Sequence, residues 1–421
     1  MESKQRVCIC KSSVKYVTKK DGVRMLSAFK SVSINVHYNR KKTIIDNFVS
    51  KLYYRASFGI LLVSTILVCS RQYIGEHIRC VADARFPVHV INTYCFFSTT
   101  FTVVKHLNES AVRNQVVPHL GVGPYVERDD AIIRHAYYQW VPFMLFLQAL
   151  MFYVPHYYWK NREGGRMKAL VSGLEHAYLS LTTEDIKLGS GITILSRKKA
   201  RRKIMLIRNV FVKRKYINKS WTRDFVFSEL LSAVILGVQI YITDVFLGGA
   251  FLTLGPDVFK TDASSEASPL DLVFPKVTKC TFRKYGPSGS LQLHDALCVM
   301  ALNIVNEKIY VFLWFWFAVL CFATLVAVLW RVLTVILHAR CLLFNRIVFG
   351  FANPQVLDLW SVITVTKERH FCDWLFLYYL AKNLDGFVFR ELLLSAAVEM
   401  SDVPRENYHY ASDDDDEEEE R

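Results

Sequence analysis

Residues 309–329 read IYVFLWFWFAVLCFATLVAVL, an unbroken apolar run without a charged side chain. A helix that crosses the hydrocarbon of a bilayer needs about 20 mostly apolar residues, so this stretch sets the class of the molecule as a membrane protein. Three further runs have the same character. Tyr53–Tyr73 surrounds the core ASFGILLVSTILVC at 56–69. Ala136–Trp159 is AYYQWVPFMLFLQALMFYVPHYYW, free of Lys, Arg, Asp and Glu and aromatic at both ends, as suits a headgroup belt. Phe225–Leu254 carries two acids, Glu229 and Asp244. One such run fits a buried helix of a soluble protein; four do not. The expected fold is an all-α membrane protein built as a four-transmembrane-helix bundle.

The segments between the spans give the orientation. The chain of 421 residues has a formal charge of +14, and basic proteins often bind nucleic acid. Here the bases flank apolar runs instead, so no nucleic-acid partner is expected. Residues 1–55 hold 13 Lys and Arg against 3 acids, and 160–223 hold 17 against 4, including RKKARRK at Arg197–Lys203. Residues 255–308 hold six of each sign, and the loop after the first span is nearly balanced. Basic segments stay cytosolic, so both termini and the middle loop are expected inside, and the other two loops outside. No cleavable signal peptide is visible in residues 1–50.

Of ten cysteines, two fall in each outside loop: Cys80 and Cys95, then Cys280 and Cys298. An oxidising exterior favours disulfides there, and four cysteines allow three pairings. Asn108-Glu109-Ser110 is a glycosylation sequon in the first outside loop, whereas Asn218-Lys219-Ser220 lies in a cytosolic segment. Pro142 lacks an N–H and is expected to kink the second span. Asp244 sits well inside the third span, where a charge is costly, and is a candidate gating or subunit-contact residue. Glu229 lies nearer the cytosolic end, within reach of the headgroups. His77, His89, His106, His119 and His135 lack metal-ligand spacing, and Cys8-x-Cys10 has the position of a palmitoylation site. No Walker loop, HExxH or GxSxG motif occurs; no enzyme, cofactor or metal is expected.

The start of the second span, Tyr137-Tyr138-Gln139-Trp140-Val141-Pro142-Phe143, resembles the signature of the innexins, the gap-junction proteins of invertebrates. SRQYIGEHIRC at 70–80, NTYCFFSTTFTV at 92–103, the long stretch from Phe274 to Trp316, and CDWLFLYYLAKNLDGFVFREL at 372–392 resemble the same family. Three features depart from it: residues 1–24 resemble an extension ahead of Met25, VADARFPVHV follows Cys80 where many members carry a Trp, and the tail ends DDDDEEEE.

The resemblance implies a pore-forming subunit of a plasma-membrane gap junction. Eight copies would ring a wide pore in lipid, alone or with other innexins, and dock onto the ring of the adjacent cell. An undocked hemichannel and a non-conducting adhesion protein are the alternatives. The pairing implied is Cys80–Cys298 and Cys95–Cys280. The implied divisions are a basic extension (1–24), a cytosolic or pore-funnel segment (25–52), and spans at 53–73, 136–159, 225–254 and 309–330. Outside loops occupy 74–135 and 255–308, a basic cytosolic loop 160–224, a helical cytosolic region 331–400 and an acidic disordered tail 401–421. The bases of the funnel segment would favour anions. The run Asp413–Glu420 is expected to be solvated, or to meet Arg197–Lys203 on the same side of the membrane.

Overall fold

A computed structural model describes residues 43–75, 78–81, 87–107, 119–126, 129–174, 197–213, 215–260, 270–353, 365 and 370–400. The N-terminal extension, most of the funnel segment, Cys8, Cys10, His77, Asn108 and the acidic tail lie outside the described residues.

Four long helices form an antiparallel bundle. They are α1 (Phe48–Tyr73), α3 (Val141–Glu163), α6 (Lys215–Phe246) and α8 (Ala301–Leu337). Side-chain pairs show the alternation. Tyr54 near the start of α1 stacks on His156 in the second half of α3, with ring centroids 3.7 Å apart. Trp159 at the end of α3 meets Trp221 at the start of α6 at 5.2 Å. Phe246 at the end of α6 meets Tyr310 in the first half of α8 at 6.4 Å.

Three of these helices are long and apolar enough to cross a membrane: Phe48–Tyr73, Tyr216–Phe246 and Ala301–Leu337. At about 1.5 Å per residue, α3 also has the length of a span, but Gln148, His156 and its Tyr residues make it more polar. Gln148 is turned inward. The Gln148 amide donates to the Thr243 hydroxyl at 2.6 Å, and the Gln239 amide donates to the Gln148 carbonyl at 3.0 Å. A π-helical stretch, Leu52–Ser57, interrupts α1. Within it the Ser57 hydroxyl donates five residues back to the Leu52 carbonyl at 3.0 Å and accepts from the Trp316 indole at 2.9 Å, fastening α1 to α8.

The remaining helices include α2 (Val88–Ser98), α4 (Arg166–Val171), α5 (Arg197–Lys213), α7 (Phe251–Lys260), α9 (Leu342–Ala352), α10 (Phe371–Asn383) and α11 (Gly386–Met400). The sequence NREGGRM explains how α3 gives way to α4. Gly164 and Gly165 take the left-handed conformation that ends a helix, at φ 60° and 75°. Buried Glu163 then accepts the Gly165 and Met167 N–H groups at 2.7 and 2.6 Å, satisfying donors at the start of α4. The helices at this end of the bundle share a core of Trp159, Met167, Trp221, Phe225, Trp374 and Phe389.

The expectation of an all-α protein is corrected. The chain is mostly helical, but the two segments read as outside loops build a five-stranded antiparallel sheet. Its strands are β1 (Arg79–Val81), β2 (Thr100–Val103), β3 (Ile132–His135), β4 (Val277–Tyr285) and β5 (Leu291–Val299), in the order β1-β5-β4-β2-β3. β4 and β5 pair from Val277↔Val299 to Tyr285↔Leu291 around the turn Gly286–Ser290. Gly289, at φ 76°, supplies the conformation that the turn needs.

The kink expected at Pro142 is also corrected. Tyr137–Gln139 is a 3-10 turn and α3 begins at Val141, so Pro142 stands in the first helical turn. An N–H there has no partner within the helix, so a proline removes no hydrogen bond and suits the helix start. The proline inside α3 is Pro155.

Candidate functional site

The sheet is stitched across the two loops. Cys80 of β1 lies directly opposite Cys298 of β5 in the strand register, with Cα atoms 4.0 Å apart and the sulfurs joined. Cys95 of α2 is joined to Cys280 of β4, Cα to Cα 5.8 Å. All four are buried. Each link therefore runs from the first loop to the second, over 218 and 185 residues of chain. Around them the sheet is dense. Buried Lys279 of β4 bonds the Asp295 carboxylate and the Gly123 carbonyl at 2.8 and 2.9 Å, and stands 4.8 Å from the Tyr125 ring centroid. His135 of β3 shares a 2.9 Å hydrogen bond with the Thr102 hydroxyl, and burial pushes its pKa down to about 4. Among the described residues, the close group of metal-ligating side chains is Cys80, Cys95 and Cys298, whose sulfurs are the disulfide atoms.

The heptapeptide Tyr137–Phe143 fastens this sheet to the bundle. Tyr138 is fully buried, and its hydroxyl and the Gln139 amide both donate to the Phe96 carbonyl, at 3.1 and 2.6 Å. Phe96 directly follows disulfide-bonded Cys95. Tyr137 packs edge-on against Phe246 and Phe274, Val141 and Pro142 are buried, and Trp140 and Phe143 are exposed. Asp244 is not mid-span. It stands in the last turn of α6, where its carboxylate accepts the Leu252 N–H at 3.2 Å and so satisfies a donor at the start of α7.

At the opposite end of the bundle, the five residues ahead of α1 are held from several sides. The Ile44 N–H donates to the Asn383 side-chain oxygen at 2.6 Å, and the Asn383 amide returns a bond to the Ile44 carbonyl at 2.8 Å. The Trp159 indole donates to the Ile45 carbonyl at 3.3 Å. Asn47 caps α1 by accepting the Ser50 N–H at 2.6 Å, and its amide donates to Glu229 at 2.6 Å. Glu229 in turn takes two bonds from Arg331, 2.9 and 2.7 Å, a forked pair joining α6 to α8. The guanidinium lies 5.4 Å from the Phe225 ring centroid and 6.0 Å from that of Phe371. Sequence reading found Glu229 but neither its partners nor the Ile44–Asn383 pair, because those contacts join residues 102 to 339 positions apart.

The arrangement is a helical bundle with a cross-linked sheet at one end and a clamped N-terminal root at the other. The Innexin family profile matches residues 46–399.

The chain belongs to the innexin family.

Among curated relatives it is 47% identical over 385 residues to Innexin inx7 of Drosophila melanogaster, covering 91% of this chain and 87% of that one. It is 41% identical to Innexin inx2 of the same species over 85% of this chain and 92% of that one. Innexin shaking-B, also from Drosophila melanogaster, is 34% identical over 89% and 94% of the respective lengths. Innexins are gap-junction channel proteins rather than enzymes, and they act as oligomers at the plasma membrane. The profile match begins at Asp46, within the clamped root, so residues 1–45 lie outside it.

Proposed function

We propose that this innexin is a pore-forming subunit of an intercellular channel passing ions and small molecules, spanning the membrane four times with both termini in the cytosol. The cross-loop sheet carries the reading: two segments far apart in sequence are fused into one rigid surface beyond the ends of the helices, as docking against an equivalent surface requires. Linking each pair restricts the unfolded loops by ~2–4 kcal/mol. The excess of Lys and Arg in 160–223 supports placing the opposite end in the cytosol. The inward-facing Gln148 and Gln239 support counting α3 as a span. Much of α8 is exposed in a single chain, including Phe312, Val319, Phe322 and Leu325, a surface suited to lipid and to neighbouring subunits. A ring of eight closed by one repeated interface, docked to a second ring, is the assembly proposed.

The root at Thr43–Asn47 is proposed to carry the funnel segment 25–52 into the pore, and residues 1–24 to modify the pore rather than build it. The Asn108 sequon favours a second reading, an undocked hemichannel, since a glycan on the first loop would obstruct docking. Asp244 remains a candidate subunit contact at the end of α6.

The test is expression of this chain alone in paired cells, with junctional current and dye transfer recorded together with dye uptake by single cells. Junctional conductance is expected. Uptake without transfer would favour the hemichannel, and surface delivery with neither current nor dye would leave adhesion.

A further inference from the structure

The helix α5 presents two faces. Ile204, Ile207 and Phe211 are buried in the core that holds Trp221 and Phe389. On the other side Lys199, Arg201 and Arg202 are exposed, together with Met205 and Leu206. Among the described residues these three bases have no ion-pair partner, in contrast to Lys203, which bonds Ser172.

Further along the same side, α5 already holds an acid from α11. Glu399, in the last turn of α11, bonds Arg208 at 2.8 Å and approaches Lys213 at 3.7 Å. Arg201 stands seven residues before Arg208. On a helix that is two turns, a rise of about 10 Å with only about 20° of angular drift. Arg202 likewise precedes Lys213 by eleven residues, about three turns, and falls on the same side. The Glu399 site thus continues along α5 as an unfilled basic stripe.

Chain connectivity names an occupant. The described chain stops at Met400 beside Arg208, and the sequence then runs through residues 401–412 to the eight consecutive acids Asp413–Glu420. Twelve residues span at most ~40 Å, several times the ~10–15 Å from Arg208 back to Arg201 and Lys199. A short tether of this kind holds the acids at an effective concentration in the millimolar range.

We propose that Asp413–Glu420 docks on the Lys199, Arg201 and Arg202 face of α5 in its own chain, extending the contact that Glu399 begins. The interaction is electrostatic and exposed, so it weakens as the Debye length falls from ~10 Å at 0.1 M salt to ~3 Å at 1 M. It makes α5 a surface that the chain covers itself and that high salt uncovers.

The experiment is zero-length carbodiimide cross-linking of the full chain, purified in a detergent with a neutral headgroup, followed by peptide mapping. A bond between the Lys199 amine and an acid of Asp413–Glu420 is expected at about 0.1 M salt, falling at least about fivefold at 1 M. Replacing the eight acids by Asn and Gln, which keeps the tether length, is expected to abolish it. Mixing isotopically heavy and light chains separates own-chain from neighbouring-chain contact, and heavy–light links as the main product would overturn the proposal. So would absence of the link at 0.1 M. A third arm uses nanodiscs containing phosphatidylserine. If Lys199 loses the tail link there and is equally protected from acylation in the acid-free variant, the face belongs to anionic lipid and the proposal fails.

Discussion

Removing Arg331 tests whether the clamp at the end of the bundle opposite the sheet holds the helices together. In the native chain its guanidinium makes two charge-assisted bonds to Glu229, at 2.9 and 2.7 Å, while Asn47 adds a third at 2.6 Å. Both charged side chains are 18% exposed. An exposed ion pair contributes at most ~1 kcal/mol, whereas breaking a fully buried one costs ~3–5 kcal/mol because the remaining charge is stranded. With this exposure, Arg331→Met should destabilise the fold by ~2–3 kcal/mol, and Glu229→Gln by a similar amount. The double variant should lose little more than either single one, since no charge is then left unpaired. SDS-driven unfolding of the purified protein, run for all four members of the cycle, would give a coupling of about 2 kcal/mol. Additive losses, near 5 kcal/mol for the double variant, would mean that the two residues act separately and that α6 and α8 are not joined here.

Three further outcomes follow from the geometry. Pro142→Ala should change stability by less than ~1 kcal/mol and leave junctional conductance intact, because a first-turn proline displaces no helical hydrogen bond; a large loss would restore the kink. Non-reducing peptide mapping should recover Cys80–Cys298 and Cys95–Cys280, and a Cys80–Cys95 peptide would refute the cross-loop sheet. His135 is buried neutral with its pKa lowered from 6.5 to about 4, so the unfolded chain binds a proton that the folded chain refuses between those values. Stability should therefore fall as pH drops through that window, by ~2 kcal/mol between pH 7 and 5, and His135→Gln should flatten the melting-temperature profile there.

What the sequence disclosed follows from how far each signal reaches along the chain. Three spans announce themselves locally, because about 20 apolar residues in a row need no partner to be recognised. The heptapeptide Tyr137–Phe143 was also legible, but its reading was half wrong. A proline in an apolar run looks like a helix interior until the preceding Tyr137–Gln139 turn is seen to mark the helix start. Asp244 misled for the same reason, since hydropathy runs on through Gly248 and Gly249 into α7 and hides the end of α6.

The sheet has a local signal in the sequence as well. VTKCTFRKY and LQLHDALCV flank GPSGS at 286–290, which is the pattern of a hairpin: two strand-length runs around a glycine-bearing turn. The other strands, β1, β2 and β3, are three or four residues each, too short to declare themselves; β1 pairs with β5, β2 with β4, and β3 with β2 in turn. The clamp was beyond reach altogether. Ile44 and Asn383 are 339 positions apart in the chain, and nothing in the composition of either segment marks the contact. The consequence is a division of labour within the fold. Apolar runs place the helices, whereas single long-range polar contacts, Asn47 to Glu229 to Arg331 and Phe96 to Tyr138 and Gln139, tie each end of the bundle to the segment beyond it. Those ties are where a displacement of the sheet or the N-terminal root would enter the helices.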